Sequence, residues 1–410
     1  MNNPRKIALD ALCRVIHQNG YANLILRRQN DLSLADQALV SALVYGTLRN
    51  YLWLEYQWRG YAEKKVRPQT AVLLDMSVFQ LLYLQKIPAY AVLSEAVELA
   101  AERDRRFVNA VLRQVERNGI RPAPEGDPLK KTALETSHPE WLLRLWQAHY
   151  GEADALAIAA HDQTSAGVYG RINRLRISPQ EIQAHPDVTM LENDCFRYRG
   201  VLSRTPWFRD GQVVIQDRAA QLIPYYLDVK PGMDVLDLCA APGTKTQQIA
   251  VLMENQGKLT ANDVNPGRVK LIEQLMEKTG VGICRTTVQD ASVPVPEWQR
   301  EGFDRVLADA PCSGLGDLRH KPEIRLHVTP QSIDELVSLQ QRILDCSADY
   351  VRPGGILVYS TCTLNRKENE NQVRDFLRRH PGFVLNREKT CLPQELDSDG
   401  FYMAQLTRNS

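Results

Sequence analysis

The chain has 410 residues and a mass of 46.5 kDa, is 44% apolar and 24% charged, and carries 50 Lys and Arg against 49 Asp and Glu. These values describe a globular protein of two or three domains and exclude a collagen-like or wholly disordered one. A net charge of +1 names no polyanionic partner by itself, no apolar run approaches the ~20 residues that cross a bilayer, and the first residues, MNNPRKIALDALCRVIHQNG, lack the apolar core of a signal peptide.

Residues 1–125 read as helix after helix, an all-α bundle. Ile7, Ala11, Leu12, Val15 and Ile16 share one face and Gly20 ends it. Ser33 and Asp36 resemble a capping box before the stripe Leu39, Leu43, Val44 and Leu48. Thr70 to Leu84 is a strongly apolar helix, and Ser94 opens another that runs to about Arg117. Residues 1–130 hold 18 basic and 13 acidic side chains, the rest 32 and 36, a mild asymmetry that suits nucleic acid. RNA affinity rather than chemistry is therefore expected of the front domain.

Pro and Gly punctuate 118–128, which reads as a linker. Residues 126–210 are expected to form the linker and a small α+β subdomain, with a helix from Ser137 and a strand near 168–174. From 211 to 410 strands alternate with helices: 234–238, 258–263, 285–288, 303–308 and 355–360 are expected strands, and 330–351 a long helix. That alternation predicts a parallel sheet covered on both faces, with ligands at the carboxyl ends of its strands. The fold class is multidomain: the all-α bundle plus an α/β, Rossmann-like domain.

Chemistry-bearing residues fall at those strand ends. Asp237 leads into Cys239-Ala-Ala-Pro-Gly-Thr-Lys245, a turn of small residues before a helix. Small residues allow close backbone approach, and a helix start offers free N–H groups. The dinucleotide G-x-G-x-x-G and the P-loop are both absent, which argues against a dehydrogenase or a nucleotide triphosphatase. Asp263, Asp290 and Asp309 end the next strands, and acids there suit a nucleoside-containing cofactor. Asp309-Ala-Pro-Cys312 places a thiol where amino-group methyltransferases place an aromatic, and Ser360-Thr-Cys362 delivers a second thiol at the next strand end.

A thiol answers a specific chemical need. Carbon 5 of cytosine is a poor nucleophile. A thiolate adding to carbon 6 makes carbon 5 enamine-like, so that it can attack an electrophilic methyl group; a base then removes the carbon-5 proton and elimination frees the enzyme. The other cysteines, 13, 195, 284, 346 and 391, include no C-x-x-C pair with each other or with these. No metal site is expected, and reduced thiols suit a cytoplasmic protein.

With these motifs the chain resembles the RsmB (Sun/Fmu) family of bacterial 16S ribosomal RNA 5-methylcytosine methyltransferases, whose N-terminal domain is NusB-like and RNA-binding. The resemblance implies a class I methyltransferase domain and S-adenosyl-L-methionine as cofactor. It implies that Cys239, Ala240, Ala241, Pro242, Gly243, Thr244 and Lys245 wrap the methionine part. Asp263 takes the ribose with Arg268 nearby, Asp290 sits by the adenine, and Asp309 faces the cofactor and the reacting base. Cys362 is the implied nucleophile and Cys312 assists release, although a Pro-Cys thiol is the nucleophile of the DNA cytosine-C5 enzymes that Pro311-Cys312 also resembles. Thr244, Leu326 and Ala220 depart from the residues usual in the family.

Expected RNA contacts are Arg106 and Arg113, which share a helix face with Asn109 and Arg117. Arg171 with Asn173, and Arg319 with Lys321, resemble the family's RNA-facing segments. The expected partner is 16S ribosomal RNA, unassembled or partly assembled, met by a monomer away from membranes. The alternatives are the same chemistry on another RNA, such as transfer RNA, and a non-catalytic RNA-binding assembly factor.

Overall fold

The computed structural model describes residues 3–26 and 32–409. Its packing divides the chain into two units: Met1–Thr164 together with Leu318–His327, and Ser165–Asp317 together with Val328–Ser410.

The first unit is helical: α1 (Pro4–Gln18), α2 (Ala22–Leu26), α3 (Leu34–Arg49), α4 (Tyr51–Arg59), α5 (Pro68–Tyr83), α6 (Ala89–Leu99), α7 (Arg105–Asn118), α8 (Pro128–Glu135), α9 (Glu140–Tyr150) and α10 (Glu152–His161). Local chemistry sets the helix starts. Asn3 accepts the Arg5 and Lys6 amides before α1, and the expected Ser33 cap accepts the Asp36 amide at 3.1 Å. Helix α5 is buried on most of its surface, with Val72, Leu74, Met76 and Val78 in the core, so it forms the centre of the bundle. Helix α7 is strongly two-faced: Val108, Val111, Leu112 and Val115 point inward, and Arg105, Arg106, Arg113 and Arg117 point to solvent.

The packing units divide after Thr164, so the boundary expected near residue 125 falls inside the first unit. The Pro- and Gly-rich stretch after α7 is mostly exposed, with Ala123 buried, and is tied to α4 by hydrogen bonds. Gln57 brackets Arg121, accepting its amide at 2.7 Å and donating to its carbonyl at 3.0 Å, and Tyr56 donates to the Pro122 carbonyl at 2.9 Å. Helices α8, α9 and α10 then continue the same unit. Buried His138 is fixed to Asp162 at 3.1 Å, beside Leu142, Leu143 and Trp146. The stretch lacks periodicity because side chains, rather than a ladder, satisfy its backbone.

Leu318–His327 completes this unit from far along the chain. Arg325 Nη1 donates to the carbonyls of Arg49 at 3.1 Å, Thr136 at 2.9 Å and Ser137 at 3.3 Å. Glu323 accepts the Ala22 amide at 3.0 Å, and His327 Nε2 reaches the Val15 carbonyl at 3.0 Å. No pattern in the sequence announces this insertion.

The second unit holds two sheets. Strands β1 (Tyr169–Ile172), β2 (Val188–Met190), β3 (Cys195–Tyr198) and β4 (Val213–Ile215) form a small antiparallel sheet in the order β2-β3-β1-β4. The larger sheet contains β5 (Asp234–Asp237), β6 (Lys258–Asn262), β7 (Cys284–Thr287), β8 (Phe303–Asp309), β9 (Val351–Thr361), β10 (Phe383–Cys391) and β11 (Phe401–Arg408). Its order is β10-β11-β9-β8-β5-β6-β7, parallel from β9 to β7, with β11 antiparallel to both β9 and β10. The parallel part is as expected, and the antiparallel pair β10–β11 adds to it. Strands buried on both faces, such as β8 with Val306, Leu307 and Ala308, account for the short apolar runs. Among the described residues, no helix is long and apolar enough to cross a membrane.

Candidate active site

All the motif residues lie at the carboxyl edge of the parallel strands, within the second unit. The turn after β5 leads into the helix Thr244–Leu252 through Gly243, whose φ of +102° is one that side-chain-bearing residues avoid. A Cβ there would also stand 3.3 Å from the Ile272 backbone. Asn262 at the end of β6 holds the same turn: its carbonyl accepts the Ala240 amide at 2.7 Å and its side chain donates to the Leu238 carbonyl at 3.0 Å. The motif therefore gains its shape from two neighbouring strand ends.

Four acids surround this turn. Asp237 is buried, and its Oδ2 accepts from Thr246 at 2.8 Å while Oδ1 has no hydrogen-bond partner among the described residues. Burial pushes its carboxyl up to about 7, with the Asp309 charge adding to the rise. Asp263 accepts the Asn265 amide at 3.0 Å and lies 3.4 Å from Arg268, which donates to the Ala241 carbonyl at 2.9 Å. Asp290 accepts both the amide and the hydroxyl of Ser292, at 2.8 and 2.7 Å, and these bonds hold its carboxyl below the usual range. Asp309 binds Lys245 Nζ at 2.6 Å and accepts from Ser360 at 2.7 Å. Burial alone would lower the Lys245 ammonium, but the Asp309 carboxylate outweighs it and leaves it raised.

The two thiols meet beside that ion pair. Cys312 follows β8 and Cys362 follows β9, and their sulfurs are 3.3 Å apart. The Cys312 thiol is held far above its ordinary value, first by its hydrogen bond to Cys362, then by burial. Burial likewise pushes Cys239 well up, so this third thiol is a poor nucleophile. Behind the pair lies buried Glu368, which sequence reasoning missed. It stands in Asn365-Arg-Lys-Glu-Asn-Glu-Asn371, a polar run that looks like a solvated helix start.

The expected RNA contacts divide. Arg106 and Arg113 are exposed and line an open groove of about 540 Å³ beside α6 and α7, with Tyr90, Arg105 and Asn109. Arg171, Asn173 and Arg319 are corrected. Arg171 is 1% exposed and donates to Gln216 at 2.9 Å, Gln247 at 2.6 Å and the Thr244 carbonyl at 3.2 Å. Asn173 is fully buried and donates to the carbonyls of Gly211 and Thr279 at 2.8 and 2.9 Å. Arg319 is 2% exposed and reaches His161 at 3.1 Å and Thr164 at 3.3 Å inside the helical unit. Each is expected on an RNA face from its resemblance to the family's RNA-facing segments, and each instead satisfies interior polar groups. Lys321 is half-buried. Accordingly, Arg171→Leu is expected to lower the thermal midpoint and leave the salt slope of RNA binding unchanged, measured by melting and by filter binding over a salt series.

Comparison with known proteins places this site in a family. Residues 224–407 match the profile of the 16S rRNA methyltransferases RsmB/F, residues 2–117 that of the NusB family, and residues 138–185 that of the RsmF/B-like ferredoxin-like domain. The chain is 36% identical to the probable ribosomal RNA small subunit methyltransferase B of Bacillus subtilis over 98% of both chains. The chain belongs to the RsmB family of 16S ribosomal RNA methyltransferases. Its methyl donor is S-adenosyl-L-methionine, as the resemblance implied. The Xanthomonas campestris ribosomal RNA small subunit methyltransferase B is 34% identical over 92% of this chain and 90% of its own. Among solved structures, PH0851 shares this chain's fold across 99% of both chains at a TM-score of 0.80 and 24% identity. A methyltransferase homolog from Pyrococcus horikoshii covers 69% of this chain and 100% of its own at a TM-score of 0.61 and 26% identity.

Proposed function

We propose that this RsmB-family enzyme methylates carbon 5 of a cytosine in 16S ribosomal RNA through a covalent adduct, acting as a cytoplasmic monomer. The observation that carries the reading is the pair of sulfurs 3.3 Å apart beside the Lys245–Asp309 ion pair. A methyltransferase acting on an amino nitrogen has no use for two thiols at its strand ends. A carbon nucleophile needs both an attacking thiolate and a base.

Cys362 adds to carbon 6, forming a C–S bond and moving the ring electrons to carbon 5. The cofactor, when bound, supplies an electrophilic sulfonium methyl group. The attack by Cys362 leaves carbon 5 as the nucleophile that would accept this methyl group, with the donor's thioether as the leaving group. Once Cys362 is bonded to carbon it carries no charge, so the largest cause of the raised Cys312 thiol disappears. Cys312 then loses its proton to solvent and accepts the one on carbon 5, and the C6–S bond breaks. Asp309 and Lys245 hold the base beside the pair. The target must be unstacked or single-stranded, because the two faces of the ring are engaged at once. The open groove with Tyr90, Arg106 and Arg113 supports an RNA path on the helical unit, through phosphate contact and stacking.

The residues fit the cofactor. Asp237 Oδ1 is a buried acceptor with no donor among the described residues, which suits an amino group. The turn Cys239, Ala240, Ala241, Pro242, Gly243 and Thr244 leaves backbone free to approach, Asp263 with Arg268 suits ribose hydroxyls, and Asp290 lies on the adenine side. Charge-assisted hydrogen bonds contribute roughly 1.5–3 kcal/mol each. Asp263→Ala is therefore expected to weaken S-adenosylmethionine binding at least ~10-fold by calorimetry while the protein stays folded. Unchanged affinity in the folded variant would remove Asp263 from the ribose site. The function itself is tested by tritium release from carbon-5-labelled cytosine in 16S transcripts; methyl incorporation without tritium loss would refute it.

A further inference from the structure

We propose that Glu368 is a positioning residue of this site: its carboxylate clamps together the turns that carry Cys312 and Cys362 and makes the two thiols unequal. The proposal rests on the covalent-adduct reading. Glu368 is fully buried. Its Oε1 accepts the Ser313 amide at 2.8 Å and Gln340 Nε2 at 3.1 Å. Its Oε2 accepts the Ser313 hydroxyl at 2.6 Å and Asn365 Nδ2 at 3.0 Å, with the Thr363 hydroxyl at 3.4 Å. Every one of these contacts is a donor, which is the pattern of a carboxylate.

The placement of the donors carries the inference. Ser313 follows Cys312 in the chain and Thr363 follows Cys362, so one side chain ties both thiol-bearing turns. With the Ser313 proton on the carboxylate, the single Thr363 proton divides between the Ser313 oxygen at 2.7 Å and Glu368 Oε2 at 3.4 Å. The titratable groups facing the pair are Glu368 and Tyr359 on one side and the Lys245–Asp309 ion pair beside Cys362. A fixed negative charge next to Cys312 disfavours a second one on its sulfur, and the Glu368 charge is among the causes that hold that thiol up. Glu368 holds Ser313, next to Cys312, at 2.8 and 2.6 Å and Thr363, next to Cys362, only at 3.4 Å, so its charge disfavours a thiolate more on Cys312 and leaves Cys362 to attack. Glu368 touches no reacting atom; it acts through the two cysteines.

The test uses the full-length protein and a readout that needs no RNA. Wild type, Glu368→Gln and Glu368→Asp are alkylated with iodoacetamide across a pH series, and each cysteine is quantified by mass spectrometry. Wild type should alkylate Cys362 faster than Cys312 near neutral pH, because the thiolate is the reacting form. In folded Glu368→Gln the Cys312 rate should rise about fivefold or more and the preference should collapse, while Glu368→Asp, which keeps the charge, should retain it. Phenylarsine oxide, which must bridge two sulfurs, should bind both variants about fivefold or more weakly, because either change breaks the clamp. A folded Glu368→Gln with the wild-type alkylation preference overturns the proposal. Where that variant fails to fold, Glu368→Asp decides, and unchanged arsenical affinity overturns it. On 16S transcripts, Glu368→Gln should lose kcat about 10-fold or more with KM nearly unchanged. Altered thiol reactivity with undiminished methyl transfer would uphold the clamp and refute the adduct reading.

Discussion

Cys362→Ala is expected to abolish methyl transfer, by about 1000-fold or more, and to form no covalent complex with RNA. Cys312→Ala should behave differently. Its attacking thiol is intact, so the adduct forms and the methyl group transfers, but nothing takes the carbon-5 proton. The protein–RNA species should accumulate as a band that survives denaturant and disappears with ribonuclease. The 3.3 Å separation of the sulfurs makes this pair a stringent test, because position alone barely distinguishes them. What distinguishes them is environment: the carboxylate behind Cys312 and the ammonium of Lys245 beside Cys362. Adduct from Cys362→Ala and none from Cys312→Ala would reverse the roles.

Arg325→Ala is expected to destabilise the helical unit by about 2–4 kcal/mol, because three carbonyls lose a cationic donor and a cavity opens. For a unit of this size that lowers the thermal midpoint by roughly 5–15 °C. The guanidinium is buried and donates to carbonyls near the ends of α3 and α8, and no carboxylate is among these acceptors. Burial also lowers its affinity for the proton, to about 10. Differential scanning calorimetry measures the shift, and an unchanged midpoint would show that the insertion adds nothing to the unit. The same geometry revises the expectation that the front domain supplies RNA affinity alone. Removing residues before Lys131 would strip partners from Glu323, Arg325 and His327, which follow Cys312 in the chain by 11, 13 and 15 residues. Loss of methyl transfer, and not only of RNA binding, is the expected result of that truncation.

The parallel sheet was legible because its strands are short apolar runs between turn residues, and Asp237, Asp263 and Asp309 fall where strand-end geometry predicts. The helical unit was legible from its stripes. Two things were not. Arg171, Asn173 and Arg319 stand in segments that resemble RNA-facing ones, yet they are buried because carbonyls and amides elsewhere in the chain need donors, and that need is invisible locally. Glu368 was missed for the same reason, its five donors coming from residues 3 to 55 positions away. Strand β10 escaped because most of its residues are exposed, Arg387, Glu388 and Lys389 among them, and β11 because it is buried along Phe401–Leu406 and so shows no alternation.

The capture of Leu318–His327 by the helical unit also bears on synthesis. A ribosome finishes Thr164 and must add another 163 residues before His327 exists. At ~5–20 residues per second this takes roughly 8–30 s, far longer than helices need to form and collapse. For that interval the Ala22 amide lacks Glu323, the Val15 carbonyl lacks His327, and the carbonyls of Arg49, Thr136 and Ser137 lack Arg325. The first-made unit of this chain is therefore finished late, by a segment translated within the catalytic half.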